Sequence, residues 1–152
     1  RSRAVRESSR VTLHIIKLCV GVDSLEELAD WQKKRLAERK KKKLPPVLQH
    51  VTRMTPKQKD EVLDGGSLYW VIKGQIAARQ KLVDLKPVQK EGKPHCALVY
   101  EPKLIPVLRR HHRPFQGWRY LDPKDAPPDV KDIKAGNLPE KLKQELAELG
   151  LL

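Results

Sequence analysis

Alternation is the strongest pattern along this chain. Leu68, Trp70 and Ile72 alternate with Tyr69, Val71 and Lys73, the period-two signature of a strand built from aromatic and β-branched residues. Gly65-Gly66 ends the segment before it. Gly74 interrupts the pattern, and a second run sets Ile76 and Ala78 against Ala77 and Arg79. An isolated glycine within a strand pattern reads as a bulge, a bend or a close backbone approach. The alternation then runs on to Val88, and the sequence Lys90-Glu91-Gly92-Lys93-Pro94 predicts a hairpin turn into a strand at residues 95–101. Upstream, residues 11–20 are apolar on both parities, as a central strand buried on two faces requires.

Helical spacing appears in three places. Ser24-x-x-Glu27 is a capping box, followed by Leu25, Leu28, Ala29, Gln32 and Leu36 on one helical face with Trp31 beside it. This helix is expected to run to about Lys43 and to be stopped by Pro45-Pro46. After a short strand at 47–53, Thr55 with Pro56 and Gln58 predicts a second helix that reaches Leu63 and ends at the glycine pair. Leu142, Leu146 and Leu149 give a third, amphipathic helix near the end of the chain. Prolines at 102, 106 and 114 limit regular pairing in between, so edge strands and loops are expected there. Together these readings predict an α+β fold: a small, bent, mostly antiparallel sheet, open or barrel-like, with two or three flanking helices. They divide the chain into a basic arm at 1–10, one globular domain at 11–130 and a tail at 131–152.

Charge changes the picture most. The chain has 152 residues, with 32 Lys and Arg against 19 Asp and Glu and a formal net charge of +13. Such an excess favours polyanionic partners, nucleic acid first. The second half of the first helix concentrates it: Lys33, Lys34, Arg35, Arg39, Lys40, Lys41, Lys42 and Lys43 face a single acid, Glu38. The helix dipole accounts for one or two cations at a C-terminus, whereas eight repel one another at i,i+4 unless an anion is near. A second basic stretch carries Arg109, Arg110, Arg113 and Arg119 interleaved with Phe115, Trp118 and Tyr120, with no acid in residues 103–121. Aromatic faces stack on unpaired bases and arginine forks pair with phosphates, although Trp118 and Phe115 serve equally well as core anchors. Lys73 and Arg79 complete the set of nucleic-acid contacts read from the sequence.

Catalytic and metal signatures are weak by comparison. No nucleophile elbow, Walker loop or dinucleotide glycine motif is present. His50 with Asp60 or Glu61 is the one weak acid–base candidate. The five histidines and the cysteines Cys19 and Cys96 show no ligand spacing, so no metal or cofactor is expected. The two cysteines fit a reducing compartment. No apolar run is long enough to span a membrane. The Arg- and Ser-rich start reads as a flexible arm, a processed transit segment or an artificial remnant. Cytoplasmic placement, or the mitochondrial matrix if that start was processed, is the expectation.

Several blocks, LHIIKLCVGVDSLEELADWQ, HVTRMTPK, VLDGGSLYWVIKGQIAARQ and RPFQGWRYL followed by DAPPD, together resemble an uncharacterised family of small proteins typical of alphaproteobacteria. The resemblance covers residues 12–130 and implies a compact domain without an assigned activity. It marks His50, Thr52, Arg53, Gly65, Gly66, Tyr69, Trp70, Lys73, Arg79, Gln80, Arg113, Gln116, Trp118 and Arg119 as distinctive positions. A fainter likeness, over one strand and its flanks, is similar to RNA-binding domains of the pseudouridine-synthase-and-archaeosine-transglycosylase type. The expected function is non-catalytic binding of structured RNA or a ribonucleoprotein such as the ribosome, with the arm and the last helix reaching other protein chains. The rivals are an enzyme acting on a nucleotide or RNA, with His50, Lys73, Arg79 and Gln80 around a pocket, and a structural subunit of a large assembly.

Overall fold

The computed structural model describes residues 12–132. The arm at 1–10 and the helix expected after Leu138 lie outside the described residues. Seven strands and two helices follow in chain order: β1 (His14–Leu18), α1 (Leu25–Lys41), β2 (Leu48–Thr52), α2 (Lys59–Leu63), β3 (Ser67–Ile72), β4 (Gln75–Lys90), β5 (Lys93–Tyr100), β6 (Ile105–His111) and β7 (Trp118–Leu121). They form one mixed sheet in the order β2-β5-β4-β3-β1-β7, with β6 on β4. The α+β class therefore holds. β1 and β3 run parallel, while the other pairings are antiparallel. The outer strands β2 and β7 do not pair with each other, so the sheet is open and the barrel-like form is not realised.

The long strand β4 is the axis. Its first half pairs with β3 on one edge and β6 on the other, and its second half pairs with β5. Register shifts at Trp70/Val71, Ile76/Ala78 and Leu82/Asp84 mark bulges, which bend and twist the sheet. Gly74 does something other than bend a strand. Ile72 pairs with Gln75, leaving Lys73 (φ 50°) and Gly74 (φ 77°) as a two-residue hairpin turn. Two consecutive positive φ angles define the primed turn that matches strand twist. Glu91 (φ 53°) and Gly92 (φ 76°) repeat it between β4 and β5, as their sequence predicts.

The second helix departs from expectation. α2 begins at Lys59, four residues after Thr55, and no side chain caps it. Gln58 instead gives its backbone N–H to the Tyr120 hydroxyl at 3.0 Å. The glycine pair after α2 is a packing requirement: a Cβ on Gly66 would stand 2.1 Å from the Val62 carbonyl oxygen and 2.3 Å from that of Leu13. No other residue lets β3 leave α2 and pass β1 so closely.

Residues paired across strands share a face of the sheet. One face carries Tyr120, Ile15, Leu68 and Gln80 in register, then Trp118, Lys17, Trp70 and Ala78. Leu25, Leu28 and Gln32 of α1 bury against this face, making the larger core. The opposite row reads Arg119, Ile16, Tyr69, Arg79 and Ile105, and around it Ile16, Tyr69, Val71, Ile76, Val107 and Leu121 form a second core.

A buried amide pair locks α1 to the sheet. Gln32 and Gln80 exchange two hydrogen bonds of 2.8 Å each. The Gln80 side-chain carbonyl also accepts from Trp70 Nε1 at 2.8 Å, and its amide nitrogen donates to the Glu101 carbonyl at 3.1 Å. Gln80 is fully buried and Gln32 nearly so, which leaves each dependent on the other for satisfaction. Gln80→Leu therefore orphans both Gln32 and the Trp70 indole, at about 1–3 kcal/mol for each unsatisfied group. The double variant Gln32→Leu/Gln80→Leu is expected to lose less than the sum of the single losses when measured by urea unfolding. Simple additivity would show that the two amides do not depend on one another.

Candidate nucleic-acid interface

Ser24 caps α1 as its capping box predicts, its hydroxyl accepting from the Glu27 N–H at 3.1 Å. The buried positions then fall at Leu25, Leu28 and Gln32, with Leu36 partly buried beyond them. Everything else on the second half of the helix meets solvent. Lys33, Lys34, Arg35, Lys40, Lys41, Lys42 and Lys43 are exposed, and Arg39 is half-buried. Among the described residues none of Lys33, Lys34, Lys40, Lys41, Lys42 and Lys43 is paired with a carboxylate. Arg35 lies with its guanidinium carbon 5.1 Å from the centre of the Trp31 ring, and Arg39 Nε donates to the Pro45 carbonyl at 2.8 Å.

The helix ends in a Schellman motif. Leu44 N–H returns to the Arg39 carbonyl at 2.9 Å and Lys43 N–H to that of Lys40 at 3.0 Å. This closure needs a left-handed residue just after the cap, where glycine is usual. Here it is Lys43, at φ 57°. A side chain with a Cβ costs on the order of 1 kcal/mol there. The basic run thus continues through the one position of the helix end where another residue is favoured. Arg35, Arg39 and Lys42 line a notch of about 180 Å³ against Leu48 and Gln49, with Glu38 at its wall.

The second basic stretch has a different character. Trp118 is a core residue, 8 % exposed, with Nε1 donating to the Met54 carbonyl at 2.7 Å. Its expected role as a base-stacking platform is not open to it, because the ring is packed within the α1-side core. Tyr120 stays 36 % exposed, its ring edge-on to Trp118. Arg119 curls back onto the Gln116 and Trp118 carbonyls and over Phe115. Arg110 donates to the Asp125 carbonyl at 2.7 Å, Arg109 reaches Gln75 at 3.4 Å, and Arg113 is exposed.

Arg79 is committed internally. Its guanidinium forms a bidentate pair with Asp129 at 2.7 Å on each arm and also donates to Ser67 Oγ at 2.9 Å. That hydrogen-bonded contact, ahead of the counteracting burial, holds the Asp129 carboxyl below its ordinary range. An arginine satisfied in this way is a clasp for the segment after β7. The register rows place Arg79 and Arg119 on the face opposite α1, so these arginines and the α1 lysines do not make one continuous surface. Lys73 sits apart again, exposed at the β3–β4 turn.

His50 does not meet Asp60 or Glu61 as an acid–base pair. It stands edge-on to Trp70, ring centres 5.9 Å apart, and lines a cavity of about 250 Å³ that neither Lys73 nor Arg79 reaches. Burial first, then the charges of Lys17 and Lys90, lower its pKa to about 4. The pocket of His50, Lys73, Arg79 and Gln80 that an enzyme reading requires is therefore not assembled, Gln80 being buried on Gln32 and Trp70. Two features escaped the sequence pattern. Lys17 lines the His50 cavity, and Arg53, Lys90, Lys93 and His95 border an open hollow of about 510 Å³. No motif joins the latter four, since pairing between β2, β4 and β5 brings them together. Among the described residues no group of three or more His, Cys, Asp or Glu is placed to hold a metal, and no helix is long and apolar enough to cross a membrane.

The chain belongs to the family described as "Protein of unknown function (DUF1489)", whose model matches residues 15–152. No curated protein and no solved structure matches it. The resemblance to RNA-binding domains of the pseudouridine-synthase-and-archaeosine-transglycosylase type thus finds no support.

Two outcomes follow from this geometry. Lys43→Gly should raise the urea midpoint, by up to about 1 kcal/mol of stability, because glycine adopts the left-handed conformation without a Cβ penalty. A drop in stability would mean that the Lys43 side chain stabilises the fold. Titration supplies the second. His14 is also lowered, by burial and then by the charge of Arg79, and its Nδ1 accepts the Ser67 N–H at 3.0 Å. Both histidines bind protons more weakly folded than unfolded, so acid favours the unfolded chain. Stability should fall as pH drops from about 6.5 towards about 4, and NMR titration should place the His50 midpoint near 4. A His50 midpoint at 6 or above would contradict its burial beside Lys17.

Proposed function

We propose that this protein binds structured RNA, free or within a ribonucleoprotein, through the C-terminal half of α1, without catalysing a reaction on it. The observation that carries this reading is the lysine run that continues, without a carboxylate partner among the described residues, through the helix cap into the left-handed position at Lys43. Four adjacent like charges at the negative end of a helix exceed what the dipole calls for, and the last of them occupies the site at a conformational cost. An anion with closely spaced charges offsets both penalties. A phosphate backbone has that spacing, and Arg35, Arg39 and Lys42 around their notch supply forks and point charges for it. Arg53, Lys90 and Lys93 around the open hollow, against the single acid Glu91, extend basic character beyond the helix.

The interface works through phosphates more than through bases. Trp118 and Tyr69 are buried, and Arg79 is held by Asp129. Trp31, 43 % exposed beneath Arg35, is the aromatic nearest to the basic run. Affinity is accordingly expected to depend strongly on salt and only slightly on sequence.

Replacing Lys40, Lys41, Lys42 and Lys43 by Gln should weaken binding to a structured RNA hairpin. The slope of log affinity against log salt should become shallower by about 3–4 units, as each lost phosphate contact removes somewhat under one. A parallel variant, Arg79→Lys, serves as the control and should leave the slope unchanged. An unaltered slope in the fourfold Gln protein would reduce the run to a solvated helix face.

A further inference from the structure

Lys17 occupies a place where a lysine is out of pattern. In β1, Ile15 and Lys17 point to the α1 side of the sheet, and Lys17 lies in register between Trp70 on β3 and Trp118 on β7. Both tryptophans are core residues, 3 % and 8 % exposed. The lysine side chain is therefore directed inward at the end of the larger core, where strand alternation calls for an apolar residue. It is half-buried, and burial lowers its pKa.

Beside it lies the cavity of about 250 Å³ that it shares with His50, its walls formed by Trp70, Trp31, Leu28 and Val22. Apart from the edge-on contact of His50 with Trp70, neither the Lys17 nor the His50 side chain has a hydrogen-bond or ion-pair partner among the described residues. Neither nitrogen set is sealed off, because the one fully enclosed and unsatisfied side-chain atom among the described residues is Arg109 Nε. Two polar groups thus open into a largely apolar pocket, one a positively charged hydrogen-bond donor, the other a neutral ring that both donates and accepts. Cys19 also lines the chamber, its thiol pushed up to about 11 by burial, so it is an apolar wall rather than a nucleophile at neutral pH.

We infer that this chamber is a binding site for a small organic acid, with an apolar, ring-sized body held among Trp31, Trp70 and Leu28 and one carboxylate on Lys17. The composition of the walls selects the ligand. Apolar surface with few convergent polar groups is how small-molecule sites are built. A nucleobase would bring several donors and acceptors into a chamber that can answer only two, leaving others unpaired at a cost. A dianion would bring a charge with no second cation on the lining to meet it. A single carboxylate matches the single ammonium and keeps it charged, and His50 supplies the remaining hydrogen bond to the acid's second oxygen. The site adjoins the proposed RNA surface at Trp31, over which Arg35 lies, while Lys17, His50 and Leu28 stand outside the lysine run.

The probe is phenylacetate, with uncharged 2-phenylethanol as its counterpart, titrated into the full chain free of nucleic acid and followed by tryptophan indole NMR signals. Phenylacetate should move the signals of Trp31 and Trp70 and leave Trp118 in place, since Trp118 does not line the chamber. Lys17→Met keeps the length and apolar stem while removing the charge. It should weaken phenylacetate at least tenfold and leave 2-phenylethanol unchanged. Equal binding of phenylacetate by wild type and Lys17→Met would overturn the assignment. So would the absence of any shift at Trp31 and Trp70 in the wild type, a result that requires no variant to fold.

Discussion

The seating of α1 on the sheet depends on how Gln32 and Gln80 satisfy one another. A glutamine amide has two donors and two acceptor lone pairs, and burying one without partners is costly. Here two are buried together: the reciprocal pair uses one donor and one acceptor of each, and Trp70 and the Glu101 carbonyl complete the set of Gln80. The arrangement does more than avoid a penalty. It fixes where along α1 the helix meets the sheet, since a shift of one residue in either element would leave both amides and an indole unpaired. Leu25 and Leu28 provide the adhesion, whereas the amide pair provides the register.

That register determines what the remainder of α1 can do. With Gln32 held inward, the residues beyond it turn their charges outward, and the helix becomes a short apolar anchor followed by a longer cationic arm. The sheet's other face is closed in another manner. There the bidentate contact of Arg79 with Asp129, together with the Val107–Asp129 bridge, draws the segment after β7 over the second core. One side of the sheet is fastened by neutral amides and the other by a charged clasp. The clasp weakens only when Asp129 is protonated, below the ordinary carboxylate range.

Much of the fold was legible because the signals were local. Alternation located β3, β4 and β5, the capping box located the start of α1, and Lys90 to Pro94 announced its hairpin. Gly74 was ambiguous, since a glycine between two alternating runs fits a bend or a tight turn, and only the pairing of Ile72 with Gln75 separates them. The site was less legible for a related reason. The basic run on α1 is contiguous, so its exposure follows from the helix pattern. Arg79 gives no hint of Asp129 fifty residues away, and its guanidinium looks the same in a sequence whether it meets a phosphate or a carboxylate. Trp118 and Lys17 show the same limit from the other side. Alternation within β1 and β7 assigns residues to two faces without saying which face α1 will cover, so a buried tryptophan and an inward lysine appear only when the register between strands is known.

The parallel pairing of β1 with β3 has a kinetic corollary. Ile15 and Leu68 stand side by side, yet α1, β2 and α2 all intervene between them in the chain. The hairpins joining β3, β4 and β5 close over two-residue turns, a process on the microsecond scale, whereas the loop that brings β1 home must first close over roughly fifty residues and its entropy. As the polypeptide is made, β1 leaves first and finds its neighbours late, because β3 and then β7 must follow it. Until then a strand apolar on both sides has nothing to bury against. The interval between synthesis of β1 and its insertion between β3 and β7 is the moment at which this chain is most exposed to association with its own kind.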